Sequence, residues 1–516
     1  MTINQKFNLP DGYDEKRLID QLAAQYAIKK TSPVADKLSL YDTFDWRLLN
    51  KSLILYSSAN RLILRKLKKS GILHNVEFSR MPVFIWDFPD GDFKKRLAPI
   101  IKMRALLKLV EVQARSMTYN ILNTDEKTVA RLVLEEIRPT QSRKKQALAR
   151  HLWLKPIKGY PKYARRLTQK LNEAGLTPGT EKEFFLNMLA LADTEPGSYS
   201  AKVNIQLDPE MRSDEATKII LRFLLKVMRT NEAVFEKDLD TEILHDFRVA
   251  IRRTRSALAQ IKNVFPARTT DRFKKDFAYV GKRSNTLRDL DVYLLNQESY
   301  KKRLPAVLRD DIDPLFEHLR IKRARAFQHV VRSLRSKKYA QIIKDWEAYL
   351  NRPPPGSATA ANAELPIIEL ARRRIYKKFR GIVKTGNKIQ ANTEDEMLHA
   401  LRIECKKLRY LMEFFANLVP RKKINALIAQ LKNLQDNLGD FNDLCVQQDY
   451  LLNIAAELPG GQQQLKKTLV AIGSLVETLN REKQTVRGAF ARTFKDFAAP
   501  ANQALFKELF ASKARN

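Results

Sequence analysis

Leu244-His245-Asp246-Phe247-Arg248-Val249-Ala250-Ile251-Arg252-Arg253-Thr254-Arg255 and Leu398-His399-Ala400-Leu401-Arg402-Ile403-Glu404-Cys405-Lys406-Lys407-Leu408-Arg409 share one pattern, His-x-x-Arg-x-x-x-basic-basic-x-Arg. The chain holds only six histidines, so chance is a poor account of the recurrence. The register continues without a gap: Asn263 matches Asn417, Pro266 matches Pro420, Asp289 matches Asp443, Leu290 matches Leu444 and Val292 matches Val446. One unit has been duplicated, and such a repeat governs the fold. Each copy carries a helix, a turn near the proline and a second helix.

A helix turns about 100° per residue, so His245, Arg248, Arg252 and Arg255 fall in one stripe roughly 80° wide. Leu244, Phe247, Ile251 and Leu258 form the adjoining apolar face, and His399, Arg402, Lys406 and Arg409 repeat the stripe. Cations stacked one turn apart repel by a few tenths of a kcal/mol per pair. Something must compensate. Internally, Asp289, Asp291, Asp440 and Asp443 are available as partners. Externally, a chain of phosphates would serve: arginine's planar fork matches phosphate oxygens, lysine adds a point charge, and histidine donates a hydrogen bond. Periodicity leaves both open, and a histidine at a helix start is more often packed or capping than a ligand. Retention of histidine and basic residues in both copies, while most neighbours have diverged, favours the external reading. Arg222, Lys226 and Arg229, with Arg373, Lys377 and Arg380 in the second copy, sit at helical spacing on the preceding helices and could widen the patch.

Composition sets the bounds. At 516 residues the chain suggests two to four domains. Hydrophobic residues make up 44%, enough for buried cores, and only 16 glycines point to long helices rather than Gly-rich loops. Lys plus Arg number 94 against 58 Asp plus Glu, a net charge of +36 that is easier to sustain beside a polyanion. Nucleic acid, an anionic membrane surface and inorganic polyphosphate are the candidates. Cys405 and Cys445 lack metal-ligand spacing and suggest no disulfide framework. No cofactor or metal is expected. Met1-Thr2-Ile3-Asn4-Gln5-Lys6 is no apolar signal segment, and no apolar run nears the roughly 20 residues of a membrane span. The expectation is a soluble, cytoplasmic protein.

Ser52–Tyr56 and Arg61–Leu64 read as paired strands, Pro82–Trp86 and Val129–Leu134 as further strands, and Tyr163–Leu176 as a helix. Polar residues around Asp193, Pro196, Gly197 and Pro209 mark a domain junction. From Asp214 onward the apolar period is helical. It is interrupted by the linker Asn351–Thr359, which falls between the copies, and by the turn Pro459-Gly460-Gly461. About four helices per copy read as two bundles in tandem.

The stretches Leu244–Arg255 and Leu398–Tyr410 resemble the signature of the CHAD domain, an all-helical domain named for its histidines. Thr286–Val292 and Leu434–Asp443 look like its second hallmark. The resemblance spans about 205–510. It implies two four-helix bundles in pseudo-twofold array, a basic surface between them, and binding of inorganic polyphosphate without catalysis. Carried over, the phosphate-facing residues are His245, Arg248, Arg252, Arg253 and Arg255, with His399, Arg402, Lys406, Lys407 and Arg409 opposite. Lysines at 406 and 407 replace arginines of the first copy, keeping charge but losing the bidentate fork.

The N-terminal region resembles a CYTH domain, the triphosphate tunnel fold. Tyr41–Leu49 looks like its second-strand segment, and Leu154–Gly159 before a helix looks like its late strand and turn. The family's opening Glu-x-Glu-x-Lys is here Thr2-Ile3-Asn4-Gln5-Lys6, with only the lysine kept. Tyr56 and Ser58 stand for its paired arginines, and its later acidic pair is replaced near Ala149, His151 and Trp153. Without carboxylates no hard-cation site forms, so a non-catalytic domain is expected, kept as a scaffold or as a second anion-binding surface. The expected architecture is multidomain. An α+β CYTH-like domain spans 1–185, and tandem all-α four-helix bundles follow over 205–516, with copies at 205–350 and 364–516. Three functions follow: polyphosphate binding, for targeting to or organising polyphosphate and its granules; triphosphate hydrolysis by the first domain; and nonspecific nucleic-acid binding.

Overall fold

The computed structural model describes residues 4–10, 12–67, 69–140, 149–191, 194–197, 199–353, 360–459 and 461–511. Thr2 and Ile3 of the opening run, Asp193 of the junction, Pro354–Thr359 of the linker and Gly460 of the late turn lie outside the described residues. The chain divides into two compact units, Met1–Tyr199 and Ser200–Asn516.

The first unit is built on one ten-stranded sheet. Its strands are β1 (Gln5–Asn8), β2 (Ala27–Lys30), β3 (Val34–Thr43), β4 (Leu53–Ser58), β5 (Arg61–Lys66), β6 (Lys69–Glu77), β7 (Leu106–Leu122), β8 (Thr128–Pro139), β9 (Ala149–Pro156) and β10 (Thr177–Pro178). The order is β10-β1-β9-β8-β7-β3-β4-β5-β6, with β2 on the far end of β7, and the pairings are antiparallel. Four helices cover it: α1 (Glu15–Ala23), α2 (Asp92–Ile101), α3 (Pro161–Glu173) and α4 (Glu181–Leu191). Leu18, Leu22, Leu167 and Leu171 bury against Leu132, Leu134 and Leu154, while Phe185, Met188 and Leu189 of α4 bury against Val110, Val112 and Ile137. Alternation along a strand puts Val112 and Ile121 of β7 on opposite faces, so both faces are covered.

The β4–β5 pair runs as the sequence implies, with Leu53 opposite Lys66 and Ser58 opposite Arg61. Pro82–Trp86 is not a strand. It is an extended lead into a 3-10 turn over Ile85–Asp87. Pro82 lacks an amide donor for a ladder, and the Asp87 carboxylate accepts from the amides of Val83 and Phe84. The late helix begins at Pro161, which suits a first helical turn, and ends at Glu173, short of Leu176.

The second unit is helical. Its first copy holds α5 (Ser213–Phe235), α6 (Thr241–Gln260), α7 (Ala267–Arg283), α8 (Asn285–Leu295), α9 (Gln297–Arg303), α10 (Asp313–Leu334) and α11 (Lys337–Asn351). The second holds α12 (Ile367–Gly386), α13 (Asp395–Phe414), α14 (Arg421–Ala455), α15 (Gln462–Phe497) and α16 (Pro500–Phe510). Four helices per copy is therefore an undercount. The third helix of the first copy breaks at Ser284, and its last breaks before Ser336, whose hydroxyl caps the amide of Tyr339. In the second copy α14 runs unbroken through Asp443.

The copies are related by a twofold at their starts. Arg212 and Pro366, equivalent positions in the repeat, form a bridge with each other, which an isologous contact requires. They also share a core. Leu290, Tyr293, Tyr300 and Phe316 of the first copy cluster with Leu444, Leu451, Ile472 and Leu475 of the second, and Tyr293 stacks on Tyr450 with ring centroids 4.2 Å apart.

Candidate functional site

Asp240 caps α6 by accepting from the amides of Glu242 and Ile243, which starts the helix one turn before His245. Leu244, Phe247, Ile251 and Leu258 are buried, as their spacing requires, and this fixes the cationic stripe at the edge of the core. In α13, Leu398, Leu401, Cys405 and Leu408 do the same. Helices α6 and α13 pack against each other, so the two stripes meet.

Each stripe is partly tethered. The Arg248 guanidinium donates to the Gly281 carbonyl at 3.2 Å, the Ser284 hydroxyl at 2.7 Å and the Asn285 side chain at 2.9 Å, closing the α7–α8 break. In the second copy His399 Nδ1 meets the Asn442 amide oxygen, Asn442 donates to Asp443 at 3.2 Å, and Arg402 pairs with the same Asp443 oxygen at 3.2 Å. Asp291 is taken by Arg323 at 2.8 Å, outside the stripe. Internal compensation is thus real but incomplete. Among the described residues, Arg252 and Lys406 have no hydrogen-bond or ion-pair partner. The Nε atoms of Arg253 and Arg402 are buried without a hydrogen-bond acceptor among the described residues.

Electrostatics show how close the rows come. Burial, then Arg402 and Arg252, pushes the Lys406 ammonium down to about 8. Burial, with Arg252 adding, also lowers Arg402. Burial and Arg252 push Arg248 to about 10. Arg252 of the first copy therefore acts directly on two cations of the second. Cations held this close, offset only in part by Asp443, raise the energy of the free protein, and an anion bound beside them would lower it.

Other residues of the sequence pattern lie elsewhere. Arg253 donates to Glu413 at 2.7 Å and to the Ala201 carbonyl at 2.9 Å, and Glu413 also meets Arg409 at 3.5 Å, so one carboxylate straps the two helices together. Lys407 pairs with Glu404 at 2.6 Å, which also meets Lys378 of α12. Arg255 is exposed, 3.8 Å from where a side chain on Gly281 would begin. His245 is half-buried. The flanking sets are not brought into the groove. Arg222 donates to the Leu350 carbonyl at the end of α11, Arg229 pairs with Glu232 at 3.0 Å and faces Glu347, and Lys226 is exposed. Arg373 donates to Asn362 at 3.0 Å. Arg373, Lys377 and Arg380 are exposed and lie about half a turn around α12 from buried Ile375, Phe379 and Ile382. Asn442, Asn285 and Glu413 are site residues missed by pattern reading, as is Tyr410, whose ring centroid lies 5.7 Å from Arg253 Cζ and 5.8 Å from Arg409 Cζ. Glu413 had a signal, an acid one turn beyond Arg409.

Residues 219–452 match the CHAD domain family. The chain carries a CHAD domain. An uncharacterized protein of Mycobacterium tuberculosis, found in two strains, is 22% identical over 303 residues, covering 57% of this chain and 55% of its own length. The chain thus spans about half the length of the curated relatives it matches. A CHAD domain from the plant Ricinus communis is 23% identical, with a TM-score of 0.49 over 58% of this chain and 97% of that one. A Hippeastrum protein described as an adenylyl cyclase with a dominant triphosphatase activity is 15% identical, with a TM-score of 0.24 over 34% of this chain and 90% of its own.

In the N-terminal unit Lys6 is buried, its ammonium 3.1 Å from the Phe184 ring centroid and 4.9 Å from that of Trp153. Burial pushes it down to about 7, against the pull of Glu135 and Glu181. His151 is buried beside it and pushed down to about 3 by burial and then by Lys6, so it stays neutral. Tyr56 lies close enough to Arg65 to stack on its guanidinium, and Ser58 donates to Asp36. A divalent ion needs free oxygen ligands. Here Glu135 accepts from the Trp153 indole at 3.1 Å and Glu181 from Arg65 at 3.0 Å, with Lys6 and Lys155 alongside. These residues do not fit a divalent cation, and no metal-dependent step is assigned to them.

Proposed function

We propose that the CHAD domain binds inorganic polyphosphate in the groove between α6 and α13. The observation that carries this is the packing of α6 on α13, which brings Arg252 near enough to Arg402 and Lys406 to add to the effect of burial in disfavouring their charged forms. The CHAD family is itself linked to polyphosphate. Arg252, Lys406, Arg402 and Arg248 are the contacts we assign to the ligand; Asp443, itself held by Asn442, positions Arg402, and Ser284 and Asn285 position Arg248. We further propose that the N-terminal unit is non-catalytic. Its lysine is sealed between two aromatic rings, and α4 packs Phe185, Met188 and Leu189 onto the sheet. No described helix is long and apolar enough to cross a membrane, and we place the protein with cytoplasmic polyphosphate.

The test is competition between long-chain polyphosphate and duplex DNA for the full chain at physiological salt. Polyphosphate should win by at least about tenfold, because its closely spaced charges engage both rows at once. Its affinity should rise with chain length and fall steeply with added salt as counterions are released. Equal competition would leave only diffuse charge and sink the reading.

Lys406 gives a second test. Its folded pKa lies below the ordinary lysine value of 10.5, so charging it costs the folded state stability, and this cost is relieved as pH rises from about 8 towards 10.5. A bound phosphate favours the ammonium and reverses the shift. Binding at pH 8.5 should therefore take up a fraction of a proton, and affinity should decline above about pH 8. Calorimetry in buffers of different ionisation heat would read the uptake, and Lys406→Met should abolish it. Release of protons instead would contradict the assignment of Lys406.

A further inference from the structure

The break between α7 and α8 has two faces. One bonds Arg248 of the groove through Gly281, Ser284 and Asn285. The other lines a separate cavity of about 440 Å3, together with α10. Tyr279, Lys282, Arg283, Thr286 and His329 contribute its polar wall, and neither an acidic residue nor a member of the groove's cationic rows is part of the lining. The Tyr279 ring lies between two cations, with Lys338 Nζ 3.9 Å and Arg283 Cζ 4.8 Å from its centroid. The ring therefore orders both side chains at the cavity's edge. The carboxylate that interacts with Lys338 is Asp276, itself held by Arg272 at 3.7 Å.

Comparison of the two copies isolates the feature. At the repeat positions of Lys282, Arg283 and Thr286 the second copy has Asp436, Asn437 and Asp440. There α14 is continuous, without a break. Duplication has thus left one copy with a basic cavity at a helix break and the other with an acidic helix surface. A folding requirement common to both copies would not reverse the charge. Local cation excess in a concave, carboxylate-free wall selects an anion, and hydroxyl and guanidinium donors suit phosphate oxygens.

We propose that this cavity is a second anion site, taking a short phosphorylated ligand of pyrophosphate to tripolyphosphate size and independent of the α6–α13 groove. It does not require the groove to be occupied. The experiment is calorimetric titration of the full chain with inorganic tripolyphosphate and, separately, with long-chain polyphosphate. In the groove variant Arg252→Ala with Lys406→Ala, tripolyphosphate should still saturate one site within about threefold of its wild-type affinity. In the variant Lys282→Asp with Arg283→Asn, which installs the second copy's residues, tripolyphosphate affinity should fall at least about tenfold on the groove-variant background. Long-chain binding to the otherwise wild-type protein should change less than about threefold. Circular dichroism and the milder Arg283→Gln, expected to lose about half that effect on a logarithmic scale, separate a local loss from misfolding. Tripolyphosphate binding that vanishes with the groove, that survives charge reversal at 282 and 283, or that is absent from the wild type would overturn the proposal. Loss of long-chain binding alone would count against the groove instead.

Discussion

Replacing Arg252 and Lys406 together by alanine is expected to weaken long-chain polyphosphate binding by at least about 100-fold. A hydrogen bond to a charged group contributes roughly 1.5–3 kcal/mol, so two lost contacts amount to about 3–6 kcal/mol, and each 1.4 kcal/mol is about tenfold. Arg252 and Lys406 are chosen because, among the described residues, neither makes an ion pair, unlike Arg402 with Asp443 or Arg253 with Glu413. Removing them should also relieve repulsion, so thermal stability should hold or rise. The control is Arg165→Ala with Arg166→Ala, two exposed cations of α3. They carry the same formal charge and should cost less than about threefold. Matching losses in the two double variants, measured at one salt concentration, would mean that the rows are not a site.

The second large effect concerns the shared core. Tyr293→Ala removes a ring that is 4% exposed, stacks on Tyr450 and reaches the Val446 carbonyl of the other copy at 3.5 Å. Truncation of a buried aromatic costs about 3–5 kcal/mol. Because the ring belongs to both copies, the whole helical unit should melt earlier in one transition. Calorimetry that showed one copy melting early and the other unchanged would refute a common core. The same variant leaves the groove cations in place, so polyphosphate should restore part of the lost stability by mass action.

Much of this was legible in the chain. The stripe on α6 and its repeat on α13 follow from period and spacing, and the buried Leu244, Phe247 and Ile251 show why the period is kept. The pairing read for Ser52–Tyr56 and Arg61–Leu64 is found within the strands Leu53–Ser58 and Arg61–Lys66. Long-range partners were not legible. Arg222 and Arg229 look like members of the basic patch until α11, more than a hundred residues on, supplies the Leu350 carbonyl and Glu347. Pro82–Trp86 has strand composition, yet Asp87 bonds its amides locally before any neighbouring strand can. The break at Ser284 was equally hidden. Each copy holds one glycine here, Gly281 beside the break and Gly439 in the unbroken α14, so glycine content does not say which copy breaks.

The stacked tyrosines and the leucines around them have one more consequence. With its hydrophobic interior pooled between the copies, the protein cannot open like a pair of jaws to admit or release a polymer. On the proposed function, a bound thread would enter and leave lengthwise or peel off from an end, and a ligand longer than the groove would reseat as it slips. Retention should then scale with strand length through the off-rate.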